Sequence, residues 1–506
     1  MNYTKEDGSP NLTKSNIIHY FKTRPSTLFD IPFFKTDKKV WQVLNPIPGL
    51  KEMSLSDWNY YFLGWTAWTI DAIDFFCVSA AAPEIAATLG VDIVDITWGM
   101  TLVLMLRSVG ALIFGIASDY YGRKWPFIVN LFIFVVLEIA TGFVKTYKEF
   151  LAVRAIFGIA MGGMYGNAAA TAIENQPIAA RSILSGLFLP AYNFGYALAV
   201  IFFRAFENTY KPGEGWRSLF WFSAGLPLIV IIWRMFFPES AHFLRLKTQR
   251  RLEAKNDIEQ LKTKKVKQNI FTMIKTEGLM FVYLVLFAAG IHFTSHGSAD
   301  LYPTFLVKQH DIGSDRKTVT MVVCNLGAVA GGIFFGQMTE LLGRRLCVVV
   351  CMLTSGAFIY PAFLSNDINV LTAGFFFVNF GIAGAAGVVP LHTFELFKKE
   401  NRVILSGLVY QLGNLATSGS ATIEAELGTR FPLNKPGFSD AYNYGKVMGI
   451  FCGAVFAYVA VVIFLGPERF HQDLSSNRNE LHEIDEAKES SDVLVIEEET
   501  MIIQKQ

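Results

Sequence analysis

Two histidines and an aspartate spaced one helical turn apart, His292, His296 and Asp300, stand inside an apolar run near 279–307. With Thr304 they recur every fourth residue, so on one continuous helix they form a slowly drifting polar stripe with about 6 Å of rise between members. Ionisable side chains at bilayer depth cost on the order of 2.5–3.5 kcal/mol each on insertion scales, and they face a partner or a water-filled path. Burial favours the protonated form of a carboxyl group and a nearby cation the ionised form, so an imidazole beside a carboxylate suits reversible proton uptake. Two readings are open: a substrate or proton site, and a His296–Asp300 pair that only locks helix packing.

Few other polar groups fall inside apolar runs: Asp71, Asp74, Arg107, Glu138, and the amides of Asn193, Gln411 and Asn414. Arg107 bears most on substrate charge, because a guanidinium stays protonated and grips a carboxylate through two parallel hydrogen bonds. It lies eight residues before Gly115, too deep in its run to snorkel to the surface. It can equally neutralise Asp71 or Asp74, which compete with Asp300 and His296 for proton coupling. Asn193, Gln411 and Asn414 suit hydrogen bonds to a carboxylate or hydroxyl, as Ser298 does, and amides also serve as bonds between membrane helices.

These groups require helices to position them. Only 17% of the 506 residues are charged and these crowd into a few segments, leaving many runs of about 20 apolar residues, the mark of a polytopic helical membrane protein. Spans are expected near 60–88, 96–117, 126–144, 150–173, 182–204, 217–237, 279–307, 317–338, 346–364, 370–391, 403–424 and 444–466, twelve in all. They divide into an N-terminal segment (1–55), a six-helix half (56–238), a basic central loop (239–278), a second six-helix half (279–467) and an acidic tail (468–506) expected to be disordered. The central loop and the short loops with Arg123-Lys124 and Arg344-Arg345 share one side, which the positive-inside rule makes cytoplasmic along with both termini. Trp58, Tyr60 and Tyr61 are expected at the membrane interface. No cleavable signal peptide is expected, and nothing suggests nucleic-acid binding. The five cysteines have no metal-ligand spacing and read as packing residues. No cofactor is implied, and no nucleophile–base pair or phosphate loop supports an enzyme.

The halves repeat at a constant offset of 221 residues. Gly115-Ile-Ala-Ser-Asp119-Tyr-Tyr-Gly122-Arg123-Lys124 aligns with Gly336-Gln-Met-Thr-Glu340-Leu-Leu-Gly343-Arg344-Arg345; Glu174 meets Glu395, Arg181 meets Arg402, and Asn193 meets Asn414. Parallel repeats of this kind place a substrate site at their interface near the midplane. The loop pattern, together with Arg154-x-x-x-Gly158, resembles the signature of the major facilitator superfamily. That resemblance implies an all-α fold of two pseudo-symmetric halves, with Asp119, Arg123, Glu174, Arg181, Glu340, Arg344, Glu395 and Arg402 as cytoplasmic gate elements.

The stretch from His292 to Thr304 is also similar to the signature of fungal Jen-type carboxylate/proton symporters, Asn-x-x-Ser/Thr-His-x-Ser/Thr-Gln-Asp-x-x-x-Thr. It matches at Ser295, His296, Ser298, Asp300 and Thr304, and departs at His292 and Ala299. The resemblance implies that His296 and Asp300 serve substrate binding and proton coupling. The expected function is import of short-chain mono- or dicarboxylates with protons, through the plasma membrane, with regulatory machinery acting on the cytoplasmic termini. Two rivals stand beside it: a sugar or polyol porter, suggested by Pro238-Glu239-Ser240, and a nutrient receptor that binds without net transport.

Overall fold

Proline and glycine decide where the long apolar runs bend. The computed structural model describes residues 13–35, 39–173, 176–239, 262–397, 402–428, 430–433 and 442–469. Among them ten helical runs are long and apolar enough to cross a membrane. The other two expected spans are each broken in two: the ninth into Arg344–Ala357 and Ile359–Phe363, the eleventh into Arg402–Thr417 and Ser420–Gly428. Pro361 cannot donate to the carbonyl four residues back, which accounts for the ninth break; Gly419 occupies the eleventh. Apart from an isolated bridge between Pro432 and Tyr442, the described residues contain no β-structure.

The seventh span departs from the continuous helix expected of it. It runs as Lys262–Ala299, breaks at Asp300 and Leu301, and resumes as Tyr302–His310. Pro303 lacks the N–H that would bond the Ala299 carbonyl, and that carbonyl instead accepts the Tyr196 hydroxyl from the fifth span at 3.4 Å. The polar stripe therefore ends at Asp300, and Thr304 stands on the next helix. At its other end this helix begins inside the expected central loop, so Lys262, Lys264, Lys265 and Lys267 are helical. The basic residues from Arg245 to Lys255 and the acidic tail beyond Arg469 lie outside the described residues.

The repeat is visible in the backbone. Gly122 ends the second span at φ 89° and ψ 176°, and Gly343 ends the eighth at φ 82° and ψ 169°. That region is open essentially to glycine alone, so the same residue is required twice. The following helices are capped alike: Lys124 donates its backbone N–H to Glu239 at 3.0 Å, and Arg344 donates its own to Glu468. Both glutamates follow a proline just past the sixth and twelfth spans, and both place negative charge at a helix N-terminus.

The described part of the N-terminal segment is helical as well. Helices Lys14–Leu28, Val40–Leu44 and Ile47–Lys51 cross the side that carries the Arg123-Lys124 and Arg344-Arg345 loops. Tyr20 and Arg24 donate to the carbonyls of Leu465 and Gly466 at 2.9 and 3.0 Å. Val43 accepts from Gln337 at 2.8 Å, and Gly49 packs on the backbone of Ala179 and Ala180. The segment thus touches both halves. Tyr61 is not the interface anchor expected of it: it is fully buried and donates to the Leu184 carbonyl at 3.0 Å. All five cysteines are buried and unpaired, as packing residues should be.

On the basic side the halves meet through glycines. A Cβ on Gly186 would collide with the Gly332 carbonyl oxygen and stand 2.6 Å from the Gly336 Cα, and Ser185 donates to the Gly387 carbonyl at 2.8 Å. The opposite side is held by an exposed Arg204–Asp315 pair at 2.6 Å and a Ser314–Glu207 bond at 3.1 Å. The exposed pair is worth about 0–1 kcal/mol, and Lys317 of span eight adds a cation 5.4 Å from the Phe203 ring of span five. In Gly186→Val the added side chain has no room, an overpacking cost of about 1–3 kcal/mol that falls on the closed state. Uptake is expected to drop roughly tenfold while the protein still reaches the membrane, with a cysteine introduced at Ser182 labelling faster; wild-type uptake contradicts the contact.

Candidate functional site

Spans two and four pack with almost no side chain between them. A Cβ on Gly158 would stand 2.7 Å from the Val103 Cα, and a Cβ on Gly162 would strike the carbonyl oxygen of Arg107. Small residues of this kind let membrane helices approach closely. Their effect is to seat Arg107, 1% exposed, at the edge of a cavity shared by spans two, five, seven, ten and eleven. The cavity offers about 40 Å³ to the centres of water molecules, room for roughly three waters.

Arg107 is only partly satisfied. One terminal nitrogen lies 3.6 Å from Asp71, 3.2 Å from the Tyr192 hydroxyl and 2.7 Å from the Met161 sulfur. Its Nε has no hydrogen-bond partner, and neither has either oxygen of Asp71. The faces of Phe75 and Tyr192 lie 5.4 and 5.9 Å from the guanidinium carbon. A guanidinium with unused donors beside a cavity can accept a carboxylate without first giving up a strong bond. Of the two sequence alternatives for its partner, Asp71 is the one in contact.

The rest of the lining is polar on one side and aromatic on the other. His292, Ser295 and His296 come from span seven, Tyr192 and Asn193 from span five, and Tyr410 and Asn414 from span eleven. His296 Nδ1 lies 3.1 Å from the Asp300 carboxylate, so the expected pair forms, with Asp300 just behind the lining. The His292 ring meets Tyr410 edge-on at 4.4 Å, an approach that Gly413 permits because a Cβ there would stand 2.7 Å from the imidazole. Asn193 bonds Asn325 at 3.3 Å and Asn414 donates to Gln411 at 3.2 Å. Gln411 is not in the lining; its amide donates to the Gly162 carbonyl across the halves at 3.2 Å. Ser298 is also off the cavity and donates to the Ser295 carbonyl of its own helix, leaving Ser295 as the serine that lines the site.

Asp74 belongs to a separate cluster. It is buried with no hydrogen-bond partner, and its charged neighbours are Glu138, Asp71 and Arg154. Arg154 pairs with Glu138 at 3.4 Å and donates to Thr141 at 2.5 Å, while Ser223 donates to Glu138 at 3.2 Å. Asp71 and Asp74, three residues apart, thus face different arginines.

The repeated loop residues are assembled in the second half. Arg344 forks onto Glu395 at 3.0 and 3.3 Å, lies 3.4 Å from Glu340, and donates to Ser182 of the first half at 3.2 Å. Ser182 also donates to Glu340. In the first half Arg181 donates to the Gln176 carbonyl at 2.9 Å, and Arg123 is also engaged. Glu174 and the side chains of Asp119 and Arg402 lie outside the described residues.

Sequence reading missed Tyr192, Tyr410 and Met161, which carry no charge and sit in apolar runs like any packing residue. Tyr410 stacks on Tyr165 across the halves at 3.6 Å. Adjacency was the available signal, since Tyr192 precedes Asn193 and Tyr410 precedes Gln411.

The chain matches the family described as "Sugar (and other) transporter" over residues 50–280 and 271–428. It is 42% identical, over 93% of its own length and 77% of the other's, to a carboxylic acid transporter protein homolog of Saccharomyces cerevisiae. The chain belongs to the major facilitator superfamily. The Jen-type resemblance read from span seven is borne out by the same yeast relative. A further relative is the sialic acid transporter NanX of Escherichia coli, 28% identical over 71% of this chain and 84% of that one. Among solved structures the proton:xylose symporter XylE superposes with a TM-score of 0.62 over 80% of this chain and 94% of its own, at 15% identity, which speaks to fold alone. As a member of this superfamily the chain is a transporter and not an enzyme.

Removing the guanidinium alone should strand Asp71. Arg107→Gln is expected to lower thermal stability by about 3–5 kcal/mol and to abolish transport, whereas Arg107→Gln with Asp71→Asn restores the melting temperature but not transport. Thermal melts in detergent with uptake in cells check this, and restored transport in the double variant contradicts a substrate role for Arg107.

Proposed function

We propose that the protein imports short-chain mono- or dicarboxylates together with protons across the plasma membrane. The observation that carries this reading is Arg107, buried beside a small cavity between the halves with donors to spare. Its fork takes the carboxylate; His296 and Ser295 with Asn193 and Asn414 hydrogen-bond the remainder of the acid, and Gln411 holds Asn414 in place. Relatives named for carboxylic acid and sialic acid transport agree with an anionic cargo.

Proton coupling falls to His296 and Asp300, which touch each other and adjoin the cavity, with Asp71 released from Arg107 as the acid arrives. Both protons and acid then cross as the halves 56–238 and 279–467 rock about the site, and the gate is the network around Arg344, Glu340, Glu395 and Ser182, with Asp119, Arg123, Glu174, Arg181 and Arg402 as its counterparts. The basic side is the cytoplasmic side, with both termini on it and open to regulatory modification. Acids such as lactate, pyruvate, malate or succinate bring a carboxylate for Arg107 to hold, whereas a sugar has no such charge.

Weakly buffered cells lacking their own carboxylate uptake, expressing this chain and pulsed separately with lactate, malate and glucose, test the reading through external pH. Alkalinisation with an acid, absent with glucose and lost in Asp300→Asn, is expected. Silence toward both acids despite surface expression contradicts the symport reading, and a response to glucose alone supports a sugar porter.

A further inference from the structure

Behind the His296–Asp300 pair lies a carboxylate that the transport scheme above does not use. Glu424 sits on Ser420–Gly428, the short helix beyond the break in span eleven. It is 0% exposed, and neither carboxylate oxygen has a hydrogen-bond partner. The carboxylate points at span seven: its Oε1 is 3.5 Å from where a Cβ of Gly297 would stand. Gly297 separates His296 from Ser298, and any side chain there would run into the Phe451 ring, so the glycine keeps this face of the helix open to Glu424.

Among the described residues, three titratable groups interact with Glu424. Asp300 faces it from the end of Lys262–Ala299, Tyr442 from the segment before span twelve, and Cys452 from span twelve itself. None of these three is a cation, and His296 stands 3.1 Å from Asp300. Two carboxylates that face each other repel, and a proton shared between them relieves the repulsion. Glu424 also lies only four residues before Gly428, at the end of span eleven away from the basic loops, nearer the mouth than Asp300's partner His296.

We propose that Glu424 is a second proton carrier, which takes the coupled proton from the non-basic mouth and passes it to the His296–Asp300 pair. In each transfer an O–H bond to Glu424 breaks as one to Asp300 forms, with no other reactant. The proposal rests on proton symport by this site, and Glu424 itself makes no contact with the acid.

Proteoliposomes holding the full chain separate the two claims. Accumulation of labelled lactate or malate driven by an inward pH gradient is compared with exchange of labelled for unlabelled acid at equal pH on both sides, which needs no net proton movement. With one proton per acid, each pH unit supports roughly tenfold accumulation. Glu424→Gln keeps the shape of the protonated side chain, and it is expected to lose that tenfold while exchange continues and its pH dependence flattens. Glu424→Asp, which retains a carboxyl group, is expected to recover part of the accumulation with a shifted pH profile. Gradient-driven accumulation at the wild-type level and pH profile in Glu424→Gln overturns the proposal, as does parallel loss of exchange and accumulation, the outcome of a merely structural role. If Glu424→Gln does not fold, an unshifted profile in Glu424→Asp overturns it. A wild-type protein that exchanges acid but ignores the pH gradient removes proton symport itself, and this proposal with it.

Discussion

A guanidinium at the midplane of a membrane has to be answered by an anion in every state the protein visits. Arg107 is buried, and its answer in this structure is Asp71 at 3.6 Å, too far for a good hydrogen bond. Breaking a buried pair by removing one member costs about 3–5 kcal/mol, so neither partner can be left alone for long. Under the proposed function, a carboxylate arriving in the cavity would supply a second anion for the same cation, the displaced aspartate would be neutralised by a proton, and one interaction would link cargo charge to proton uptake. The glycines of spans two and four bring the helices together at this depth, and Tyr192 and Phe75 lie against the guanidinium.

Breaks in the helices do the remaining positioning. Where Pro303 withholds a hydrogen bond, Tyr196 of the opposite half takes the freed carbonyl and the end of the polar stripe is held at the interface. Beyond Gly419 the short helix of span eleven carries Glu424 to the same place. Irregular backbone at membrane depth is tolerated where protein covers it or it lines a cavity, and the residues at both of these breaks are half-buried. The two closures around the site differ in kind: backbone contact and a buried arginine network on the basic side, exposed polar pairs on the other.

Much of this was legible in residue types and spacing. Charge inside an apolar run is costly, so His296, Asp300, Asp71, Asp74 and Arg107 announced themselves, and Asn193 and Asn414 did so by recurring at one offset. The fold followed from run lengths and from the repeated loop, whose two glycines share one unusual conformation. Partnerships were not legible. Nothing in the spacing says that Asp71 faces Arg107 while Asp74 faces Glu138 and Arg154, because residues three apart lie only about 60° from each other around a helix and share a face. Ser298 matched a motif yet bonds its own backbone, and Ser295 took its place. Tyr192 and Tyr410 read as packing, and Glu424, at the end of an apolar run, read as a boundary residue rather than an interior one.

The central claim is that Asp71 and the substrate carboxylate compete for Arg107. Calorimetric binding of lactate and malate to the purified protein tests it most directly, comparing the wild type with Asp71→Asn. Removing the competitor is predicted to tighten binding by roughly tenfold, equivalent to about 1.4 kcal/mol. Unchanged or weaker binding in Asp71→Asn would contradict the competition and with it the link between cargo and proton.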